Sequence, residues 1–163
     1  MKTLLIVFHS MTGAAEQLAQ AAAAGAATEA DVRTALLRAP QTNPADVLAA
    51  DGYLFVTPEN LATMAGLMKD FFDRVYYAVL DRTNGRPYAA IIAAGTDGTG
   101  AARQIERIAT GLRLRAVAPP LIIRNGAQTP EAILAPKQVP ESDRVQAHEL
   151  GAALAAGLGS GVF

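Results

Sequence analysis

Short, nearly unbroken apolar runs alternate with alanine-rich or amphipathic segments along most of this chain, and that alternation leaves few folds open. Thr3–Phe8 is an apolar run of the kind a strand needs when both of its faces are covered. Ala14–Ala24 follows as a helix, favoured by its alanines. Val32–Leu37 and Tyr53–Thr57 are predicted as further strands, with a short helix over Pro44–Ala50 between them. Leu67–Tyr77 places Leu67, Phe71 and Val75 on one helical face. Tyr88–Ala94 is the fourth strand. Helix Ala101–Leu112 comes next, with Ile105, Ile108 and Leu112 as its stripe. Ala116–Ile123 is a fifth apolar stretch. Pro119-Pro120 interrupts it, so it is predicted at a sheet edge or split by a bulge. Residues 125–141 contain Pro130, Pro136 and Pro140 and read as an irregular excursion before a last helix, Arg144–Leu158. Buried-type strands alternating with helices imply an α/β fold. The expected architecture has three layers, with a five-stranded parallel sheet doubly wound by helices on both faces.

Length and composition fit one such domain. The 163 residues hold 14 basic and 15 acidic side chains, a net charge of −1, which speaks against a nucleic-acid module. Alanine accounts for 35 residues, so the mean hydropathy of +0.20 reflects alanine-rich helices and not a membrane protein. No uncharged apolar run reaches the roughly 18 residues of a spanning helix. The amino end lacks the small-residue cleavage site of a signal peptide. With no cysteine, disulfides, thiol nucleophiles and thiolate metal sites are excluded, and two histidines far apart in sequence argue against a His-rich metal site. The expectation is a single cytoplasmic domain over 1–163, with 159–163 a frayed tail.

In an open parallel sheet, ligands bind beyond the carboxyl ends of the strands, so the loops there carry the functional signal. The first, Ser10-Met11-Thr12-Gly13-Ala14-Ala15, opens into a helix whose free N–H groups and partial positive charge suit a phosphate. Ser10 and Thr12 add hydroxyls. The alternative is that Thr12 only caps the helix. The loop has no Lys or Arg and is not a Walker loop. The second runs from Thr57 through Pro58, Glu59, Asn60 and Leu61 to Gly66, longer than the usual connection of about 2–6 residues. Asn60 offers a donor and an acceptor to a planar heterocycle; alternatively, this is a surface loop with Glu59 in solvent. The third, Gly95-Thr96-Asp97-Gly98-Thr99-Gly100, frees the backbone to face a ligand, with Asp97 either touching that ligand or capping the next helix. Its glycine spacing is not the dinucleotide fingerprint.

Together, strand–Ser-x-Thr-Gly–helix, Thr57-Pro58-Glu59-Asn60 through Gly66-Leu67-Met68-Lys69-Asp70-Phe71-Phe72-Asp73-Arg74, and the Gly-rich third loop resemble the flavodoxin superfamily. Within it they resemble flavodoxin-like proteins and NAD(P)H-dependent FMN reductases. The resemblance covers Met1–Leu112 and weakens after Pro119. It implies the strand order 2-1-3-4-5 and FMN as the cofactor. The flavin's 5′-phosphate would lie in the loop of Ser10, Met11, Thr12, Gly13, Ala14 and Ala15. Its ring would lie against Pro58, Glu59, Asn60 and Leu61 and against Gly95, Thr96, Asp97 and Gly98. Two departures stand out: neither later loop holds an aromatic residue to stack on a flavin, and the chain is not strongly acidic. Both favour an open flavin face over a one-electron shuttle.

The leading expectation is an FMN-dependent oxidoreductase that passes electrons from NAD(P)H, its co-substrate, to a quinone, flavin or similar small-molecule acceptor. The alternatives are a flavodoxin-type electron carrier serving a protein partner, or a flavin-free scaffold. No protein acid, base or nucleophile is assigned, because the cofactor carries the chemistry. His9 is read as structural and His148 as solvent-facing. Met64, Leu67, Met68, Phe71, Phe72, Tyr76 and Tyr77 form a surface too broad for one buried stripe, which suggests a homodimer.

Overall fold

The computed structural model describes residues 1–163. In chain order the elements are β1 (Lys2–Phe8), α1 (Ala14–Ala26), β2 (Val32–Arg38), α2 (Pro44–Ala49), β3 (Gly52–Asn60), β4 (Thr63–Met64), α3 (Gly66–Val79), β5 (Pro87–Ala94), α4 (Thr99–Gly111), β6 (Arg115–Ala116), β7 (Leu121–Arg124), α5 (Pro130–Leu134) and α6 (Glu141–Ser160). The sheet runs β2-β1-β3-β5, parallel throughout, and both β6 and β7 pair with the far edge of β5. Seven strands thus replace the five expected. The fifth apolar stretch is split at Pro119-Pro120 into two edge pieces, and β4 is a two-residue antiparallel addition to β3. Counting β6 and β7 as one interrupted strand restores the order 2-1-3-4-5. No helix is long and apolar enough to cross a membrane.

Alternate residues of each strand enter opposite layers, as the two-residue period of a strand requires. Leu4, Ile6, Phe8, Leu54, Val56, Ile91 and Ala93 face α1 and α6. Leu5, Val7, Tyr53, Phe55, Tyr88, Ala90 and Ile92 face α2, α3 and α4. The layers are filled differently. Aromatic rings dominate the second: Phe55 meets Phe72 edge-on at 5.0 Å between centroids, and Phe71 lies 5.0 Å from Phe72. In the first, α1 and α6 touch backbone to backbone. A Cβ on Gly25 would lie 1.9 Å from the His148 carbonyl oxygen, and one on Gly151 would lie 1.9 Å from that of Ala22.

Met64, Met68, Phe71 and Phe72 are buried within the chain, which removes most of the surface that suggested a homodimer; Leu67 and Tyr77 remain exposed. Helix α6 continues to Ser160, Gly161 ends it in the left-handed conformation at φ 71°, and the Phe163 ring folds back over Gly157. The excursion 125–141 contains one short helix, α5, started by Thr129, whose hydroxyl accepts from the Ala132 N–H at 3.2 Å.

Candidate functional site: a cleft at the carboxyl ends of the strands

The carboxyl ends of β1, β3 and β5 open into a cleft of about 470 Å3. Ser10, Met11, Thr12, Ala14, Ala15, Pro58, Glu59, Asn60, Leu61, Gly95 and Thr96 line it, so the topology brings all three predicted loops to one place. Gly13, Asp97 and Gly98 lie just outside and shape the loops instead.

In the first loop, Gly13 is the residue before α1 and adopts φ 103°, a left-handed conformation that glycine reaches without steric cost. It has no side chain with which to cap the helix, and the alternative reading of Thr12 as the cap is not seen. The Ser10 hydroxyl accepts from the Gly13 N–H at 3.0 Å. The amides of Thr12, Ala14 and Ala15 donate to no protein acceptor, and the Thr12 hydroxyl makes no bond within the chain. These groups, at the positive end of α1, are free for an anion.

The second loop is not a loose connection. Strand β3 extends to Asn60 and folds back as β4, making a hairpin with Leu61 and Ala62 at its tip. Both tip residues are left-handed, at φ 52° and 65°, without being glycine. The hairpin is pinned to α4 from three directions. Glu59 is not in solvent: its carboxylate accepts from the N–H of Gly98 at 2.8 Å and of Ala101 at 3.0 Å, so it caps α4 from a neighbouring strand. The Met64 N–H donates to Gln104 Oε1 at 2.8 Å. The Ala62 carbonyl sits so close to Gly100 that a Cβ there would come within 2.0 Å.

In the third loop, Gly98 precedes α4 at φ 96°, and a Cβ on it would strike the Ile122 side chain at 2.4 Å. Asp97 turns back to its own helix start, accepting from the Thr99 hydroxyl at 2.8 Å and N–H at 3.2 Å. Those two bonds hold its carboxyl below the ordinary carboxylate range. His9 does not line the cleft, and burial, with Arg38 adding to it, lowers its pKa below the usual 6.5. His148 is exposed.

Sequence reasoning missed one wall. Asn125, Ala127, Ile133 and Lys137 close the cleft opposite the hairpin, and Ala62, Ala93 and Ala94 add to its floor and rim. The Asn125 N–H donates to the Ala94 carbonyl at 3.0 Å and that of Gly126 to Gly95 at 2.8 Å; this docks the wall on the third loop. Lys137 is the one cationic residue of the lining. No aromatic residue lines the cleft. Its rim is aliphatic, with Met11 52% and Leu61 98% exposed.

The fold and the placement of this cleft define a flavodoxin-like protein. The chain superposes on a flavodoxin from the domain Archaea with a TM-score of 0.77 at 16% identity, over 96% of this chain and 98% of that one. It likewise matches a flavodoxin, WrbA-like protein from Agrobacterium tumefaciens with a TM-score of 0.76 at 15% identity, over 99% of each chain. The sequence narrows the class: residues 1–128 match the model of the NADPH-dependent FMN reductase family, and the chain belongs to that family. It is 33% identical over 94 residues to an NAD(P)H dehydrogenase (quinone) of Acidithiobacillus ferrooxidans, covering 45% of this chain and 47% of that protein. It is 29% identical over 119 residues to a probable NAD(P)H dehydrogenase (quinone) of Arabidopsis thaliana, covering 60% and 44%. The chain thus spans about half the length of these curated relatives, at 47% and 44%.

Proposed function

We propose that this chain is an FMN-dependent oxidoreductase that takes electrons from NAD(P)H and passes them to a quinone, flavin or similar small acceptor. The observation that carries the reading is the cleft's division of labour: unpaired amides and hydroxyls at one end, and an uncovered, aliphatic mouth at the other. The donor set fits the proposed cofactor. The free amides of Thr12, Ala14 and Ala15, the Thr12 hydroxyl and the start of α1 suit a phosphate. Pro58, Asn60, Leu61, Gly95 and Thr96 would flank the flavin ring, and the Asn60 side-chain amide has no partner within the chain. The volume, about 470 Å3, is that of a small-molecule site. A single anion loop without a dinucleotide fingerprint favours FMN over FAD.

When bound, FMN would supply a site that accepts a hydride and gives it up as two electrons and a proton. The chain's own contribution is orientation. Glu59 ties the second loop to the third, so both flanks of the ring would move as one unit. The absence of an aromatic lid leaves room for a nicotinamide to stack. The relatives named as quinone dehydrogenases support the choice of acceptor. Cytoplasmic residence belongs to the same reading. So does a homodimer joined through exposed Leu67 and Tyr77, which light scattering showing a monomer would remove.

A carrier serving a protein partner is the second reading, favoured by Leu61, which stands 98% exposed beside the cleft. Anaerobic mixing separates the two. FMN-loaded protein with excess NADH or NADPH should lose its flavin colour without any protein partner. Flavin that stays oxidised for many minutes leaves the carrier.

A further inference from the structure

We infer that Lys137 supplies the positive charge that holds a phosphomonoester in this cleft, a role its own loop sequence gives no sign of. The inference rests on the FMN reading and assigns a binding residue beyond it. Lys137 lies outside residues 1–128, the part of the chain that the family describes. The anion loop Ser10–Ala15 contains no cation, so neutral donors alone would face a dianion there.

The fold brings one in from far along the chain. The Lys137 N–H donates to the Thr12 carbonyl at 2.8 Å. Gln17, one turn into α1, donates from Nε2 to the Lys137 carbonyl at 2.8 Å and accepts the Val139 N–H at 3.0 Å through Oε1. Residues 137–139 are therefore fastened along the first turn of the helix that ends in the anion loop. The ammonium is fixed as well. It donates to the carbonyls of Ala132 at 2.8 Å, Ile133 at 2.9 Å and Ala135 at 2.6 Å, closing the end of α5.

All three partners are neutral. None of the molecule's ion pairs includes Lys137, so its charge has no carboxylate against it. The one carboxylate of the lining, Glu59, is already bonded to the amides of Gly98 and Ala101. A cation without a counter-charge, held rigidly in the lining of the cleft that also carries the unpaired amides, is complementary to an anion. Because its donors are occupied by carbonyls, it acts through its field and not by a direct hydrogen bond. Its effect should therefore be sensitive to salt.

The test compares FMN with riboflavin, which lacks the phosphate, on apo-protein and its Lys137→Met and Lys137→Arg variants. Lys137→Met should weaken FMN about fivefold, leave riboflavin unchanged and flatten the fall of FMN affinity with added KCl. Lys137→Arg should restore most of the FMN preference. Equal losses for FMN and riboflavin in Lys137→Met would overturn the inference, since Lys137 would then only anchor α5. Unchanged affinity for both flavins in Lys137→Met would overturn it too, with the flavin reading left standing. So would unchanged FMN affinity with a raised KM for NADPH and not NADH, which would move the charge to the nucleotide. Binding of neither flavin by the unaltered protein would instead sink the flavin reading itself.

Discussion

The two walls of the cleft are held by different kinds of bond. The wall made from the ends of β1, β3 and β5 is tied by contacts close in sequence, such as Ser10 to Gly13 and Asp97 to Thr99, with Glu59 bridging its second and third loops. The facing wall, from Asn125 to Lys137, has only one short helix of its own and leans on Thr12, Gln17, Ala94 and Gly95. The first wall is tied within itself and to α4. The second borrows its shape from the first. Damage to the first should therefore cost stability and binding together, whereas changes where the walls meet should separate the two.

The largest effect is expected from Gly100→Ala. A Cβ there would lie 2.0 Å from the backbone oxygen of Ala62, which no rotamer change relieves. Overpacking of this kind costs about 3 kcal/mol. Denaturant unfolding of the apo-protein should show that loss, and FMN affinity should fall with it because the hairpin must lift from α4.

Thr12→Ala probes the seam between the walls. It deletes a hydroxyl with no bond inside the chain and leaves the carbonyl that holds Lys137. FMN affinity should drop by about 2 kcal/mol, the worth of a hydrogen bond to a charged group. The melting temperature of the apo-protein should stay unchanged, because Thr12 caps nothing. A loss of stability with unchanged FMN affinity would reverse that assignment.

Glu59→Gln is milder. It keeps one acceptor for the Gly98 or Ala101 N–H but loses the charge at the start of α4, at a cost of about 1 kcal/mol. Thermal unfolding would detect it, and Glu59→Ala should cost more than Glu59→Gln.

How far the walls differ also explains what the sequence made legible. The sheet was readable because its strands alternate apolar residues between two cores, and because Pro119-Pro120 marks the broken edge strand. The first wall was readable as three unusual loops at strand ends. The β3–β4 hairpin was not. Its tip is Leu61-Ala62, without the Asn-Gly or Asp-Gly that normally signals such a turn. Left-handed backbone in ordinary residues costs roughly 1 kcal/mol or more apiece, and it is offset by contacts between the hairpin and α4: Glu59 with Gly98 and Ala101, Met64 with Gln104, and Ala62 against Gly100. Which residue precedes α1 was open for a related reason: Thr12 carries a hydroxyl that can cap a helix, whereas the bare Gly13 that takes the position has none. The second wall carried no periodic signal at all. Gln17 and Lys137 meet across 120 positions, a separation that local pattern cannot bridge.

The smallest expected effect lies at the base of the first wall. His9 has a folded pKa below 6.5, so between that lowered value and 6.5 the unfolded chain binds a proton that the folded chain does not. Stability contributed by neutral His9 is present above pH 6.5, declines as pH falls through that window and levels off below the folded pKa. Between about pH 7 and about pH 5 the melting temperature should fall more for the unaltered protein than for His9→Asn.

The central claim is that the end of the cleft at Ser10–Ala15 binds a flavin's phosphate. Calorimetric titration of apo-protein with FMN and with riboflavin, at one salt concentration, tests it most directly. The account predicts one FMN per chain, bound at least about tenfold more tightly than riboflavin, or about 1.4 kcal/mol. Equal affinity for the two, or binding of neither, would contradict it.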